Sequence, residues 1–165
     1  MEETLVHPFP PLYDRDSRVL ILGSFPSVRS REQRFFYGHP QNRFWKVIAA
    51  VTGREVPGSI EEKKELLHAS HIALWDSIGS CRITASSDAS IRDVVPNDIR
   101  PILEGSRIRT IFTNGSKSHE MYEKYILSPA GIADIRLPST SPANAAYSLE
   151  KLIAEWAVVG ERLRE

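Results

Sequence analysis

Short apolar runs punctuate the chain, each closing on a polar residue or a turn. They are Val19–Leu22 before Gly23, His71–Trp75 before Asp76, Arg109–Thr113 before Asn114-Gly115, and Asp134–Leu137 before Pro138. Continuous runs of this length fit strands buried on both faces. Between them, apolar residues recur at helical spacing. Phe44, Val47, Ile48 and Val51 mark a helix that Asn42 is expected to open and Gly53 to stop. Ser59 with Glu62 forms a capping box for a helix to about Ala69. Asn97 can cap a short helix that Gly105 ends, and Ser118 one that carries Met121, Tyr122, Tyr125 and Ile126. Leu149, Leu152, Ile153, Trp156, Val159 and Leu163 hold helical period to the end. Strands alternating with helices predict right-handed crossovers. The expected fold is α/β: one domain over residues 1–165, a three-layer α/β/α sandwich around a central four-stranded parallel sheet.

Three segments fall outside this alternation. Residues 2–17, with Pro8, Pro10 and Pro11, read as an irregular lead-in. Residues 23–41 read as one long loop, and loops of that length usually carry function or disorder. Residues 77–96 read as polar and turn-rich around Ser86-Ser-Asp-Ala-Ser90. The strand order brings Gly23–Ser30, Trp75–Ile78, Thr113–Ser116 and Pro138–Asn144 to one edge, where open α/β sheets bind ligands. Three of these segments are rich in Ser, Thr, Asn and Gly, which offer hydroxyls and backbone N–H groups to phosphate.

Composition is that of an ordinary globular protein, with 41% hydrophobic and 25% charged residues in 165. No apolar stretch approaches the roughly 20 residues that span a bilayer, and Met1-Glu-Glu-Thr4 lacks the basic start of a signal peptide. A cytoplasmic monomer away from the membrane is expected. The lone Cys81 excludes an internal disulfide framework and a cysteine-rich metal site. Net charge is zero, yet Arg18 to Lys46 holds Arg18, Arg29, Arg31, Arg34, Arg43 and Lys46 against the single acid Glu32. Such a face can track phosphates, with Arg43 as a candidate contact, or it can be a solvated arginine loop.

Several chemistries drop out. Gly23-Ser-Phe-Pro26 matches neither G-x-G-x-x-G nor a P-loop, so no nucleotide cofactor is expected, and no Gly-x-Ser-x-Gly elbow occurs. His7, His39, His68, His71 and His119 show no metal-ligand spacing, so neither a metal nor another cofactor is expected. No lysine has the apolar surroundings that would favour Schiff-base chemistry. Asp14 and Glu32 read as solvated ion pairs.

Gly23-Ser-Phe-Pro26, Tyr37-Gly-His-Pro-Gln-Asn-Arg-Phe-Trp-Lys-Val-Ile48 and Leu137-Pro-Ser-Thr-Ser-Pro-Ala-Asn144 together resemble the uracil-DNA glycosylase superfamily. Within it the chain is similar to the mismatch-specific enzymes and more so to the hypoxanthine-DNA (deoxyinosine) glycosylase branch. The middle segment is the most specific of the three. The superfamily's four-stranded parallel sheet between helices agrees with the fold read above. Mismatch-specific members have Gly-Ile-Asn-Pro in the first loop, and that Asn positions the attacking water. Phe25 stands there in this chain and can neither orient nor deprotonate water.

The resemblance implies a monofunctional DNA glycosylase acting in base excision repair. It would hydrolyse the N-glycosidic bond of a deaminated base, hypoxanthine first, with DNA as partner. Uracil or xanthine preference, or a nucleic-acid-binding module without turnover, are the alternatives that Phe25 keeps open. In the hypoxanthine branch an Asn of the His-Pro-x-Asn segment is catalytic, which carries over to Asn42; its amide would offer an acceptor for the water, and otherwise it is a plain helix cap. Gly23, Ser24, Phe25, Tyr37 and His39 are the substrate-binding candidates. Tyr37 would be the stacking platform and Phe25 a pocket wall, or both anchor the loop. Ser27, Ser139, Thr140, Ser141 and Pro142 join Arg43 as DNA-binding candidates. The 139–142 run would grip phosphate, form a turn with Ser141 and Pro142 opening the last helix, or do both. Asp76 would cap or touch a base edge.

Overall fold

The computed structural model describes residues 2–84 and 90–165. In chain order the first half holds β1 (Glu2–Val6), β2 (Val19–Gly23), α1 (Val28–Gln33), α2 (Phe44–Thr52), α3 (Ile60–Ser70), β3 (Ile72–Asp76) and β4 (Ile78–Thr84). Then follow β5 (Arg92–Pro96), α4 (Arg100–Glu104), β6 (Thr110–Asn114), α5 (Ser116–Met121), a π-helical turn Tyr122–Ile126, α6 (Leu127–Ala130), β7 (Ile135–Leu137) and α7 (Leu149–Leu163).

The expected parallel sheet is present, in the order β3-β2-β6-β7. Every residue of β2 is buried because alternate side chains leave its two faces. Val19 and Ile21 enter one core with Phe44, Ile48, Leu67 and Trp156. Leu20 and Leu22 enter a second with Ile102, Ile111 and Tyr122. Those two cores are the sandwich's two interlayer spaces, which confirms the α/β/α reading. Parallel register sets Gly23 beside Asp76 and Leu22 beside Thr113, so the strands end together. No helix of the described residues is long and apolar enough to cross a membrane.

Outside the sandwich the expectations need correction. The lead-in is not irregular throughout: β1 pairs antiparallel with β4, and β4 with β5, in a second, three-stranded sheet. The 77–96 stretch is therefore mostly strand; its centre, 85–89, lies outside the described residues. Along β4, Cys81 and Ile83 are buried while Arg82 and Thr84 are exposed, a half-buried strand pattern that register shifts interrupt nearer Ile78. The 23–41 loop contains α1, capped by Ser27, whose Oγ accepts the Ser30 N–H.

Helix starts also move. α2 begins at Phe44 rather than Asn42, α4 at Arg100 well after Asn97, and α5 at Ser116 before Ser118. Asn97 instead donates to the Asp76 and Ile78 carbonyls, and Ser118 donates to those of Leu22 and Gly23. α7 begins at Leu149 with Ser148 as its cap, so Ser141 and Pro142 do not open it.

Candidate active site

The carboxyl ends of β2, β3 and β6 open on a cleft of about 310 Å³, near the lower bound for ligand pockets of roughly 300–1,000 Å³. The 23–30 segment, Asp76, Asn114 and the 139–143 loop line it, joined by Tyr37 and Asn42. The four segments expected at this edge thus meet around one space.

Asn42 sits two residues before α2, and its Oδ1 takes two hydrogen bonds. The Phe44 N–H donates at 2.9 Å and the Thr140 hydroxyl at 2.8 Å. Both lone pairs of that oxygen are engaged. Nδ2, which donates to none of the described residues, is the part of the amide left for a ligand. The oxygen expected to face the water is thus turned to the protein, and the open side of the Asn42 amide is a donor.

Thr140 is fully buried and ties Asn42 to Asn114. Its Oγ1 accepts from Asn114 Nδ2 at 3.0 Å, and its N–H donates to Asn114 Oδ1 at 3.1 Å. Asn114 Nδ2 also donates to the Tyr37 hydroxyl at 3.2 Å. One chain of contacts thus joins Asn42, the 139–141 loop, the end of β6 and Tyr37.

Tyr37 adopts a positive φ of 51°, uncommon for a residue with a side chain. Two contacts hold it there. Its ring stacks on Phe44 with centroids 3.9 Å apart, and its carbonyl accepts from Trp45 Nε1 at 3.1 Å. Burial, with the charge of Asp76, pushes its phenol well above the usual range, outweighing the hydrogen bond from Asn114. Tyr37 is thus a neutral aromatic at working pH.

Phe25 lines the cleft, with the Arg31 guanidinium 5.9 Å from its ring centre. Gly23 matters for its missing side chain: a Cβ there would lie 2.4 Å from Asp76 Oδ1 and 3.1 Å from the Tyr37 hydroxyl. Asp76 is no helix cap. Its Oδ2 meets His7 Nε2 at 2.6 Å, with both side chains buried.

The remaining candidates divide. Ser24, Ser27, Ser139 and Ser141 line the cleft. Ser139 Oγ accepts the Ser141 N–H and Ser141 Oγ accepts the Ala143 N–H, the hydroxyl turns anticipated for this loop. His39 and Pro142 are not among the lining residues; His39 Nδ1 accepts the Gln41 N–H. Arg43 faces the loop. Its guanidinium donates to the carbonyls of Thr140, Tyr147, Ser141 and Asn144, so most of its donors hold the loop.

Among the described residues no lysine or arginine lines the cleft. Basic charge lies beside it instead, on Arg29, Arg31 and Arg34 of α1 and its cap. Away from the cleft, His119, Glu123 and Asp134 bring possible metal-ligand atoms within 4.8 Å of one another, although sequence spacing suggested no such group. They are joined already: His119 Nδ1 lies 2.7 Å from Asp134, which also accepts from Thr113, and Nε2 lies 3.2 Å from Glu123.

Sequence reasoning missed His7 and Asn114 and underused Asp76. His7 was hidden in a proline-rich lead-in, and Asn114 read as half of a turn signal. The available signal was positional, since Asp76 and Asn114 each end a buried strand.

The model of the uracil DNA glycosylase superfamily matches residues 10–159. A Methanosarcina acetivorans protein named hypoxanthine DNA glycosylase is 35% identical over 153 residues, covering 92% of this chain and 95% of its own. A Methanosarcina barkeri protein of the same name is 31% identical over 156 residues, covering 93% and 97%. A solution NMR structure of a uracil DNA glycosylase candidate from Methanosarcina acetivorans superposes with a TM-score of 0.81 at 33% identity, over 95% of this chain and 97% of that one.

Proposed function

Because this chain belongs to the uracil DNA glycosylase superfamily, we propose that it is a monofunctional DNA glycosylase that hydrolyses hypoxanthine from DNA. The observation that carries this reading is Asn42, held at a base-sized cleft by Phe44 and Thr140 with one amide face open. The relatives' names supply the substrate.

An enzyme of this kind acts on a nucleotide turned out of the stack. The flipped base lies against Tyr37, where aromatic stacking contributes roughly 1–3 kcal/mol and tolerates different bases. The Asn42 Nδ2 donates to one lone pair of the attacking water and fixes its position; the other lone pair bonds the anomeric carbon as the glycosidic electron pair leaves with the base, and the proton the water gives up ends on the departing purine. As the glycosidic bond breaks, positive charge develops on the sugar and the flanking DNA phosphates help to hold it. The 139–141 loop, braced by Arg43, holds the strand beside the cleft. No lysine lines the cleft among the described residues, consistent with hydrolysis and no lyase step.

The test uses duplex oligonucleotides with a single inosine, uracil or xanthine, followed by heating in alkali. Scission at inosine that is lost in Asn42→Ala is the expected result. Scission at uracil or xanthine alone changes the substrate. Tight binding with no scission at any lesion favours the binding module that Phe25 kept open.

A further inference from the structure

The sheet edge opposite the cleft carries a second concavity, a groove of about 1050 Å³ against the cleft's 310 Å³. The amino ends of the strands border it: Arg18 immediately precedes β2, His71 precedes β3 and Arg109 precedes β6. With Arg107 and with Arg162 of α7, four arginines line this groove. No described lysine or arginine lines the cleft. In a chain of zero formal net charge, basic side chains are thus gathered away from the candidate active site.

Two of the four are already engaged. Arg18 donates to the carbonyls of Leu163 and Glu165, and Arg162 Nε lies 3.6 Å from the Glu165 carboxylate. The guanidinium groups of Arg107 and Arg109 make no hydrogen bond or ion pair with the described residues. Both residues are exposed, and Ile108 between them is buried. Their N–H groups bond the Ser17 and Arg18 carbonyls at 3.0 and 3.3 Å, which holds the segment along the lead into β2. Side chains two residues apart on an extended segment leave on the same side, with Cα atoms roughly 6.6 Å apart. Arg107 and Arg109 are therefore two open guanidinium forks at a fixed spacing.

We propose that this groove docks an acidic, extended segment of a partner protein, whose carboxylates at alternate positions pair with Arg107 and Arg109. A planar guanidinium meets a carboxylate through two parallel hydrogen bonds, and it sheds water more readily than an ammonium does. The spacing matches because an extended peptide also presents every second residue on one side. Asp16 and Glu165, which stand among the arginines, decide between a peptide and a nucleic acid. A nucleic-acid backbone has an anion at each step and would meet those carboxylates along with the arginines. A polypeptide sets acids against the arginines and uncharged residues against the carboxylates. About 16 Å of sheet, the length of the five-residue β2, separates the groove from the cleft. Docking here leaves the cleft open to DNA, whichever base the cleft accepts.

Fluorescence anisotropy with the whole chain tests this, using labelled probes of equal length. One is an end-blocked peptide of alternating glutamate and serine. The second is its isomer with glutamates in adjacent pairs, which has none two residues apart, and the third is oligothymidylate. Wild-type protein is expected to bind the alternating peptide more tightly than its isomer, with affinity that falls as salt rises. Arg107→Gln/Arg109→Gln is expected to lose roughly tenfold to a hundredfold in affinity for the alternating peptide. Arg107→Lys/Arg109→Lys keeps both charges without the forks and is expected to fall between. Both variants should fold and cut inosine as wild type does, since neither residue lies at the cleft.

No binding of the alternating peptide by wild-type protein overturns the proposal. So does equal affinity in the glutamine variant, or equal affinity for the two peptide isomers, which leaves only diffuse charge. Oligothymidylate bound as tightly, with the same dependence on Arg107 and Arg109, makes the groove a nucleic-acid track and overturns the peptide. Slower inosine excision by the folded glutamine variant places these arginines on the substrate duplex and overturns it too.

Discussion

The Thr140 hydroxyl donates to Asn42 Oδ1 across 2.8 Å, linking the loop after β7 to the residues that start α2. The same oxygen accepts the Phe44 N–H, so the amide has one orientation. Asn42 is therefore set by two groups, one from its own helix and one from 98 positions away.

Thr140→Val keeps shape and removes the hydroxyl. Asn42 Oδ1 then has one donor instead of two, and Asn114 loses an acceptor. Single-turnover excision is expected to fall by about 10²-fold, as for a misplaced reactive group, with stability lower by about 1 kcal/mol. Affinity for an uncleavable inosine duplex stays near wild type, and Thr140→Ser recovers most of the rate. Unimpaired excision by Thr140→Val would show that Asn42 needs no such brace.

The parallel sheet was legible because each of its strands is a short apolar run with a sharp end, and the two-sided burial of Val19–Gly23 is what such a run encodes. β4 was not, since register shifts break its alternation and its Gly79-Ser80 stretch resembles a turn. β1 was obscured by the prolines that follow it. The cleft's location was legible from strand ends, and its wiring was not. His7 and Asp76 are 69 positions apart, and nothing local to either marks the other. Asn42 looked like a helix cap because it does that work, holding the Phe44 N–H one residue ahead of the helix's own cap, Arg43.

Alkaline pH should act through tyrosine. The Tyr122 hydroxyl donates to the Ile132 carbonyl, and burial, reinforced by the charge of Asp134, pushes its pKa from 10.0 up to about 12. Below pH 10.0 both folded and unfolded chains keep this proton and stability is unaffected. Between 10.0 and about 12 the unfolded chain releases it while the folded chain retains it, so stability falls as pH rises. Tyr37 adds a loss of the same sign that extends higher. Tyr122→Phe is expected to be less stable near neutrality by about 1 kcal/mol for the lost hydrogen bond, and to lose less on going to alkali. Denaturant unfolding at several pH values reads this slope; parallel curves for the two proteins would exclude Tyr122 as a contributor.

Arg43 separates two roles that sequence alone could not. A phosphate contact would add its counterion to the salt dependence of DNA binding, and its removal would lower the slope of log K against log salt by about 0.9. The fold argues for the other role. The guanidinium reaches four carbonyls of the loop from Thr140 to Tyr147, with Nη2 at 2.9 Å from Ser141 and 3.0 Å from Asn144. Those oxygens have their donors supplied by one planar fork, which a shorter amide cannot reproduce. Arg43→Gln is therefore expected to lose on the order of 2 kcal/mol of stability and to slow excision by loosening Thr140 against Asn42. Its salt slope for inosine duplex binding, measured where the protein remains folded, should match wild type. A slope lower by nearly one with unchanged stability would return Arg43 to the phosphate contacts and leave the loop to its own hydroxyl turns.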